Sequence, residues 1–421
     1  MNKYTFEKVN EDIYYEKLNN GLEVFLYPTN KTKNFYISIS VKYGASITKY
    51  KIKDKVYDII PGSAHFLEHK VMALSENKEI SNRINSFGSL ANAWTNYKGT
   101  NYNIFGSINL IENLKLLLDI FYNTDINPKN VEEEKGIIGE EIDMYKDQIN
   151  SLMSEHLFKN VFKNSYVKNT VVGERSDIEK ITSESLNRVY NDYYVPNNTF
   201  IVVTGSFDVM EVMNTIKDYI YKLNLKPKEL PKTIKEKEND KVNIAYEEIN
   251  KDSENIRVKY AIKIKKSLFS LKNDILLRYY LNIILSNNFS PTSSLYEKYK
   301  NENVIINMGA SANIIDDYVL IVVSAVCKDA NVFLDNISKD IKKINISSEE
   351  FERKKKLFLK SYILDFDNIE DVEYNIVDFM LLEGKVNYNE YTDIINMDYK
   401  IAKDIIKSLN FDNISIIKTV K

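Results

Sequence analysis

The stretch Gly62-Ser63-Ala64-His65-Phe66-Leu67-Glu68-His69 decides how this chain is interpreted. Pro61 and Gly62 act as a breaker, and Ser63 is a suitable N-cap, so a helix is predicted over residues 64–73. On a helix, His65 and His69 are one turn apart on one face, and both imidazoles can reach one metal ion. The stretch therefore predicts a helix that supplies two ligands of a metal site.

Zinc suits this histidine pair because it binds neutral imidazole nitrogen, and a catalytic zinc site has three protein ligands and one position for water. Glu68 stands beside His69, where its carboxylate can accept a proton from that water without being a ligand. The alternative interpretation is two surface histidines on a solvated helix. The remaining histidine, His156, is interpreted as an ordinary helical surface residue.

A third ligand must come from elsewhere in the chain. Cys327 is discounted because it lies in a strand-like apolar run, which leaves carboxylates. The acidic helix predicted from about residue 131 to 149 offers Glu134 and Glu141, which are two turns apart on one face. One of the two can bind metal while the other orients a histidine, and the alternative is a solvated acidic face.

Composition excludes several classes of protein. The chain has 421 residues, with 57 Lys+Arg against 60 Asp+Glu and a net charge of -3, so it lacks the basic excess of a nucleic-acid-binding protein. One cysteine excludes an intrachain disulfide and a multi-cysteine metal site, and it suits the cytoplasm. Residues 1–20 lack the apolar core of a signal peptide, and the longest apolar run, 318–327, is about half a membrane span, so no membrane association is expected.

The order of predicted elements indicates an α+β protein with two similar halves. Strands and helices alternate up to about residue 225, a Lys, Glu and Pro-rich segment at 226–240 is typical of a linker, and residues 241–421 repeat the order in outline. We therefore predict two homologous domains, 1–225 and 241–421. Each is expected to be a mixed, mostly antiparallel sheet with helices packed on one face.

The chain resembles the pitrilysin/insulinase family of zinc metallopeptidases, which includes the mitochondrial processing peptidase. The resemblance covers roughly the first 200 residues. It rests on these segments: Leu18-Asn19-Asn20-Gly21-Leu22, Gly44-Ala45-Ser46, Gly62 to His69, Asn92-Ala93-Trp94-Thr95, Glu134 to Glu141, and Tyr193-Tyr194-Val195-Pro196-Asn197-Asn198.

The resemblance implies one zinc ion per chain, with His65, His69 and Glu141 as its ligands. It assigns Glu68 as the catalytic base and Glu134 as a carboxylate that supports the site from behind the ligands. Glu141 follows His65 by 141 - 65 = 76 residues, which agrees with the family's spacing. The implied architecture is half of a processing-peptidase-like clamshell.

The same resemblance implies how a peptide substrate would bind. Family members take up substrate as an added edge strand. The candidate edge here is the segment 89–95, with Asn92, Ala93 and Trp94 as substrate contacts. On the residues alone, this segment is only a short strand near a glycine.

The second half departs from the family. Active single-chain relatives carry an Arg and a Tyr that contact substrate, and these positions correspond here to Lys300 and Ile306, unless Tyr299 substitutes for the tyrosine. Lysine lacks the planar fork of arginine, and isoleucine has no hydroxyl. Because the family's chamber needs about four such domains, we expect a homologous partner subunit, in a heterodimer rather than a homodimer.

The function predicted from these features is a zinc-dependent endopeptidase that hydrolyses peptides or unfolded segments enclosed in a chamber. Processing of a ribosomally made peptide and general peptide turnover fit equally well. The alternative is a non-catalytic structural or peptide-binding subunit of such a heterodimer. A lyase that makes the autoinducer-2 precursor shares the inverted histidine motif, but it is a far shorter chain and uses a cysteine ligand.

Overall fold

The structure is a computed structural model that describes residues 1–6, 8–72, 78–251 and 254–420. Its strands are β1 (Asn2–Phe6), β2 (Glu11–Lys17), β3 (Glu23–Pro28), β4 (Phe35–Val41), β5 (Lys49–Ile52), β6 (Lys55–Asp58), β7 (Leu90–Thr95), β8 (Thr100–Gly106), β9 (Thr199–Gly205), β10 (Lys232–Thr233), β11 (Tyr246–Asn250), β12 (Ile256–Lys265), β13 (Ile305–Ile315), β14 (Tyr318–Cys327) and β15 (Ile414–Val420). Its helices are α1 (Ser63–Met72), α2 (Lys78–Ser86), α3 (Leu110–Tyr122), α4 (Pro128–Asp147), α5 (Ile149–Val161), α6 (Arg175–Ile178), α7 (Ser183–Tyr193), α8 (Val209–Leu223), α9 (Asp274–Phe289), α10 (Ser294–Asn301), α11 (Ala330–Asp340), α12 (Ser348–Asp365), α13 (Ile369–Leu382), α14 (Glu390–Ile395) and α15 (Tyr399–Ser408).

The first compact unit is built on a sheet with the strand order β1-β2-β3-β9-β4-β8-β7. Only the neighbours β3 and β9 run parallel; the other pairs are antiparallel. Strand β4 shows the alternation that a two-faced sheet requires, with Ile37 and Ile39 in the apolar core and Ser38 and Ser40 on the other face. Helices α1 and α3 pack against β8 on the core side.

The second compact unit repeats this plan. Its sheet has the order β11-β15-β12-β14-β13, and again only one pair, β11 and β15, runs parallel. The run β3-β9-β4-β8-β7 of the first sheet therefore matches the second sheet strand for strand and in direction. The predicted α+β class, with two similar halves built on mostly antiparallel sheets, is confirmed.

The two units differ from the predicted domains 1–225 and 241–421 in which segments they contain. Unit 1 consists of Met1–Met144, Asn169–Lys235 and Ile363–Asn389, and unit 2 of Tyr145–Lys168, Glu236–Tyr362 and Glu390–Lys421. The physical reason is helix packing, because α5 packs on β12 and β15 whereas α13 packs on β4 and β9. Each sheet therefore has a helix on the face opposite its core, and that helix comes from the other half of the sequence.

The predicted linker at 226–240 contains one of the points where the chain passes between units, at Lys235 and Glu236. It is partly structured, because β10 pairs with β5. The predicted helix 64–73 corresponds to α1, and its last residue, Ala73, lies outside the described residues. The predicted helix 131–149 corresponds to α4, which ends at Asp147. Among the helices that the structure describes, none is long and apolar enough to cross a membrane.

Helix α13 carries a buried carboxylic acid, that of Glu373. Glu373 is 2% exposed, and its Oε1 accepts hydrogen bonds from Ser38 Oγ and from Asn101 Nδ2, the latter at 3.0 Å. Burial raises the pKa of Glu373 to about 7, against the lowering effect of these two hydrogen bonds and with a small further increase from the charge of Glu370. The fold therefore favours the neutral acid.

Because Glu373 is buried, we expect the stability of the protein to depend on pH. We expect Glu373→Gln to remove that dependence. Because the pKa of Glu373 in the fold lies above its ordinary value, the folded state holds a proton that the unfolded state has released, and stability falls as pH rises from about 4.5 to about 7. Glutamine keeps the accepting oxygen without the charge. In urea denaturation we expect Glu373→Gln to be more stable than the parent at pH 8, by on the order of 1–3 kcal/mol, and equal to it at pH 5.

The matched control is Glu383→Gln, which removes the same charge at an exposed position just after α13. It should leave the midpoint unchanged at both pH values. A loss of stability in Glu373→Gln of equal size at pH 5 and pH 8 would contradict the assignment of a neutral acid.

Candidate metal centre

Helix α1 begins at a tight turn that only glycine can form. Gly62 has a φ of +87°, and a Cβ there would lie 2.7 Å from the carbonyl oxygen of Val172 and 2.7 Å from Cδ1 of Ile178. Ser63, predicted as the N-cap, is instead the first helical residue, and its hydroxyl donates to the Ile60 carbonyl at 2.7 Å. The apolar residues of α1, including Phe66 and Leu67, are fully buried, which fixes the side of the helix that carries the histidines.

Three predicted ligands converge in the structure. One ligand atom each from His65, His69 and Glu141 lie within 4.8 Å of one another. Glu141 Oε2 is 3.6 Å from His65 Nε2 and 3.3 Å from His69 Nε2. Ligands placed about 2.0–2.1 Å from a tetrahedral zinc ion are separated by roughly 3.3–3.5 Å, so the two distances from the carboxylate to the imidazoles are close to that separation.

Helix α4 supplies both carboxylates from one face. Its buried residues recur every three or four positions, and Glu134, at 1% exposed, is among them. Glu141 follows two turns later and is half-buried at the cluster. The solvated acidic face that was the alternative interpretation is thus excluded for Glu134.

Glu134 fixes the tautomer of His69. Its Oε1 is 2.9 Å from His69 Nδ1, and a carboxylate can only accept, so Nδ1 carries a hydrogen and, when the ring is neutral, Nε2 presents its lone pair to the cluster. The second oxygen of Glu134 lies 3.4 Å from the buried ammonium of Lys70. The alternative of two unconstrained surface histidines is therefore wrong for His69.

The electrostatics of the cluster favour a cation. Burial lowers the pKa of His69, but the hydrogen bonds to Glu134 and Glu141 outweigh it and raise the pKa to about 10. The hydrogen bonds from His65 and His69 hold the pKa of Glu141 well below its usual range. Three carboxylates, those of Glu68, Glu134 and Glu141, lie at or beside the two imidazoles, and such a cluster attracts a cation.

His65 adds a second indication. It is 6% exposed, and its Nδ1 is buried without a hydrogen-bond partner in the part of the chain that the structure describes. Nothing therefore holds this ring in place except packing and whatever its Nε2 binds. The two imidazole rings lie 4.6 Å apart at 63°, with both Nε2 atoms near one carboxylate oxygen. The donor set fits zinc.

Glu68 is held by a residue to which the sequence assigned no role. The hydroxyl of Thr95 donates to Glu68 Oε2 at 2.6 Å. Thr95 ends strand β7, which packs against α1. Thr95 belongs to the motif quoted above, yet only the fold brings its hydroxyl to the carboxylate 27 residues earlier.

The three predicted substrate contacts lie on β7. This strand is the last in its sheet and, within the described residues, pairs only with β8. Asn92 is exposed and its Oδ1 accepts from the Ala93 amide at 2.9 Å, while Trp94 packs near Tyr374 with ring centroids 6.3 Å apart. An edge strand whose outer side meets no other strand among the described residues thus stands beside the helix that carries the two histidines.

The remaining predicted residues lie in unit 2. Lys300, on α10, donates to the Ile306 carbonyl at 2.7 Å and is not part of the cluster. Tyr299 is fully buried, and its hydroxyl donates to Asp340 at 3.0 Å, so the suggestion that it substitutes for the family's tyrosine is wrong. His156 lies on α5 with Nδ1 3.0 Å from Glu247 Oε1, as an ordinary hydrogen-bonded helical residue.

Two family models match the sequence. The model described as "Insulinase (Peptidase family M16)" matches residues 54–175, and the one described as "Peptidase M16 inactive domain" matches residues 180–358. The first range contains the whole cluster of histidines and carboxylates. The second contains Lys300.

Curated relatives carry related names. The chain is 27% identical over 301 residues to the uncharacterized zinc protease YmfH of Bacillus subtilis, covering 70% of each chain. It is 24% identical over 215 residues to a probable mitochondrial-processing peptidase subunit beta of Arabidopsis thaliana, an alignment that covers 50% of this chain and 39% of that protein.

A solved structure shares the fold over almost the whole chain. A putative M16-like peptidase from Alicyclobacillus acidocaldarius superposes with a TM-score of 0.88 at 22% identity, covering 97% of this chain and 98% of the other. The two family models, the names of the relatives and the shared fold are all consistent with the cluster of histidines and carboxylates that α1 and α4 carry. The chain belongs to the insulinase family of peptidases, family M16.

Proposed function

We propose that the chain is a zinc-dependent endopeptidase that hydrolyses peptides or unfolded segments. The observation that carries this proposal is the convergence of His65, His69 and Glu141 within 4.8 Å, with Glu68 one residue before a ligand on the same helix. The names of relatives described as zinc proteases support it.

The roles of the residues follow from their positions. His65, His69 and Glu141 would hold the ion, and Glu134 keeps His69 in the tautomer that can bind it. When bound, zinc lowers the pKa of a coordinated water towards neutrality and polarises a carbonyl. Glu68 accepts the proton of the attacking water on its carboxylate and delivers it to the leaving amine.

We further propose that substrate binds along β7 as an added antiparallel strand. The free backbone edge of this strand supplies hydrogen bonds that do not depend on the substrate's sequence. Asn92 is exposed at that edge, and Trp94 is held near Tyr374. Such binding favours extended peptides over folded proteins, because a folded chain has few free backbone groups to offer.

A homologous partner subunit belongs to the same proposal, as a heterodimer rather than a homodimer. One relative is named as subunit beta of a processing peptidase, and the second half of this chain has Lys300 and Ile306 where active relatives carry Arg and Tyr.

The buried free thiol of Cys327 suits a reducing compartment, so we propose the cytoplasm. Processing of a ribosomally made peptide remains one of the uses that this activity would serve.

The second candidate is a non-catalytic subunit of such a heterodimer. It is favoured by the description of the model that matches residues 180–358 as an inactive domain. Against it, none of His65, Glu68, His69, Glu134 and Glu141 lies in that range. Loss of activity in the second half of the chain is compatible with an intact site in the first.

The test of the endopeptidase proposal is Glu68→Gln. We expect the parent chain, alone or with its partner, to bind one zinc ion and to cleave unfolded peptides, and Glu68→Gln to keep the zinc while kcat falls about 100-fold or more. Elemental analysis gives the zinc content, and a quenched fluorescent peptide library gives the rate.

Glu133→Gln is the matched control, since Glu133 is an exposed carboxylate on α4 away from the cluster. A chain that binds no stoichiometric zinc contradicts the metal site. A chain that binds zinc but has no peptidase activity with its partner, or one in which Glu68→Gln cleaves normally, supports the non-catalytic subunit instead.

Thr95→Val tests whether the hydroxyl positions Glu68. Valine has the shape of threonine without the donor, so Glu68 loses the hydrogen bond that holds it, and we expect kcat to fall about 5- to 50-fold with KM and zinc content unchanged. Thr95→Ser restores the donor and should recover most of the rate. If both variants lose activity equally, or if the zinc is lost, Thr95 acts through the packing of β7 rather than through its hydroxyl.

A further inference from the structure

A groove of about 220 Å³ lies in unit 2, on the face of the sheet opposite its apolar core. Helix α5 covers β15 and β12 on this face, and the groove forms where that cover stops, over β12, β14 and β13. Its floor is therefore strand backbone. Asn150 near the start of α5 forms part of its wall.

The strand register places two cations in this groove. Arg257 and Lys259 are two residues apart on β12, so they point to the same face. Their partners across β14 are Val326 and Ser324, and Gly309 of β13 stands opposite Ser324. A Cβ added at Gly309 would meet nothing within 4 Å, which shows that the space above the strand is open.

Neither cation has a carboxylate partner among the residues that the structure describes. Arg257 Nη1 donates to Asn150 Oδ1 at 3.3 Å, and its Nε is buried with no hydrogen-bond partner. Lys259 Nζ donates to the hydroxyl of Ser154. Both of these partners are neutral, so no carboxylate in the described part of the chain pairs with either positive charge.

Another lysine on strand β12 shows how this fold neutralises a buried cation. Lys263, 2% exposed, has the Glu238 carboxylate at 2.9 Å and two backbone carbonyls within 3.0 Å. A buried charge without such partners destabilises a protein, and burial accordingly lowers the pKa of Lys259. The first turn of α5, whose N-cap residue Gln148 makes no capping bond, adds further positive potential.

We propose that this groove binds a carboxylate carried by a peptide, either a C-terminal carboxylate or the side chain of Asp or Glu. Arg257 offers unused donors, Lys259 offers the second charge, and a carboxylate accepts from both. The strand backbone and Val326 suit the less polar remainder of an amino-acid residue, and about 220 Å³ exceeds the space that a small inorganic anion fills. This inference concerns unit 2 alone and does not depend on the proposed peptidase activity.

The experiment is calorimetric titration of the full chain with short acetylated peptides at low salt. Acetyl-Ala-Ala-Val with a free carboxylate tests the C-terminal source, and acetyl-Ala-Glu-Ala amide tests the side-chain source. Acetyl-Ala-Ala-Val amide and acetyl-Ala-Gln-Ala amide are their neutral controls. We expect one equivalent of at least one acidic peptide to bind, and its neutral control to bind about tenfold more weakly or worse.

Variants assign that binding to the groove. Arg257→Gln and Lys259→Gln should each weaken it by about tenfold. Gly309→Val should abolish it by filling the groove, and it should fold, because the backbone there is not left-handed and the space is open. The controls are Lys265→Gln, an exposed lysine on the same strand paired with Asp240, and Ser311→Val, the next outward residue of β13; both should bind as the parent does.

Three results would overturn the proposal. One is equal binding of the acidic and neutral peptides, and another is unchanged binding in Gly309→Val. The third is binding of inorganic phosphate, titrated alone at millimolar concentration, that Gly309→Val abolishes while neither acidic peptide binds, which would define a general anion site instead. A failure of Glu68→Gln to affect peptide cleavage would leave this result untouched, so the two proposals fail separately.

Discussion

The hydrogen bond between Glu134 and His69 is the interaction on which the metal centre depends. A buried carboxylate accepts from Nδ1 at 2.9 Å, and this bond decides which nitrogen of the ring is available to a metal. Helix α4, which carries Glu134, also places Glu141 near the Nε2 atoms of both histidines. Because two turns of α4 set the distance between the two carboxylates, the geometry of the site is fixed by helix pitch and by the hydrogen bonds that His69 and Lys70 of α1 make to α4.

The two units show how one sheet plan can support different chemistry. In both, a strand order with a single parallel pair carries an apolar core on one face, and a helix from the other half of the sequence covers part of the opposite face. Under α13 the buried group is the Glu373 acid, satisfied by Ser38 and Asn101. Beside α5 in unit 2, the ionisable groups are the cations Arg257 and Lys259, and their hydrogen-bond partners are neutral. The ionisable group thus belongs to the covering helix in unit 1 and to the sheet in unit 2.

Local sequence signals predicted the parts of the site that lie on single elements. The spacing of His65 and His69 requires only helix periodicity, and Glu134 and Glu141 share a face for the same reason. The strands predicted in both halves follow from alternation and turn residues. These features are determined by neighbours in the chain, and the structure places them where the pattern indicates.

What the sequence did not predict depends on contacts between distant segments. Nothing in the residues around Thr95 shows that its hydroxyl meets Glu68, and nothing near Ile363 shows that the following helix belongs to the first unit. The resemblance suggested Tyr299 as a substitute for a substrate-binding tyrosine, but its place in the core of unit 2 is a matter of tertiary packing. Side-chain identity is local, whereas burial and partner are decided by the fold.

Each unit gathers like charges at one site. In unit 1, three carboxylates and one ammonium surround two histidines; in unit 2, Arg257 and Lys259 face a groove without an acid. Such arrangements destabilise the folded state, whereas Lys263 and Glu373 show that the same chain can satisfy a buried ionisable group when no ligand is involved. Like charges that gather at one site are therefore better explained by a ligand of opposite charge than by structure alone. That reasoning supports a divalent metal ion in the first unit and a carboxylate in the second.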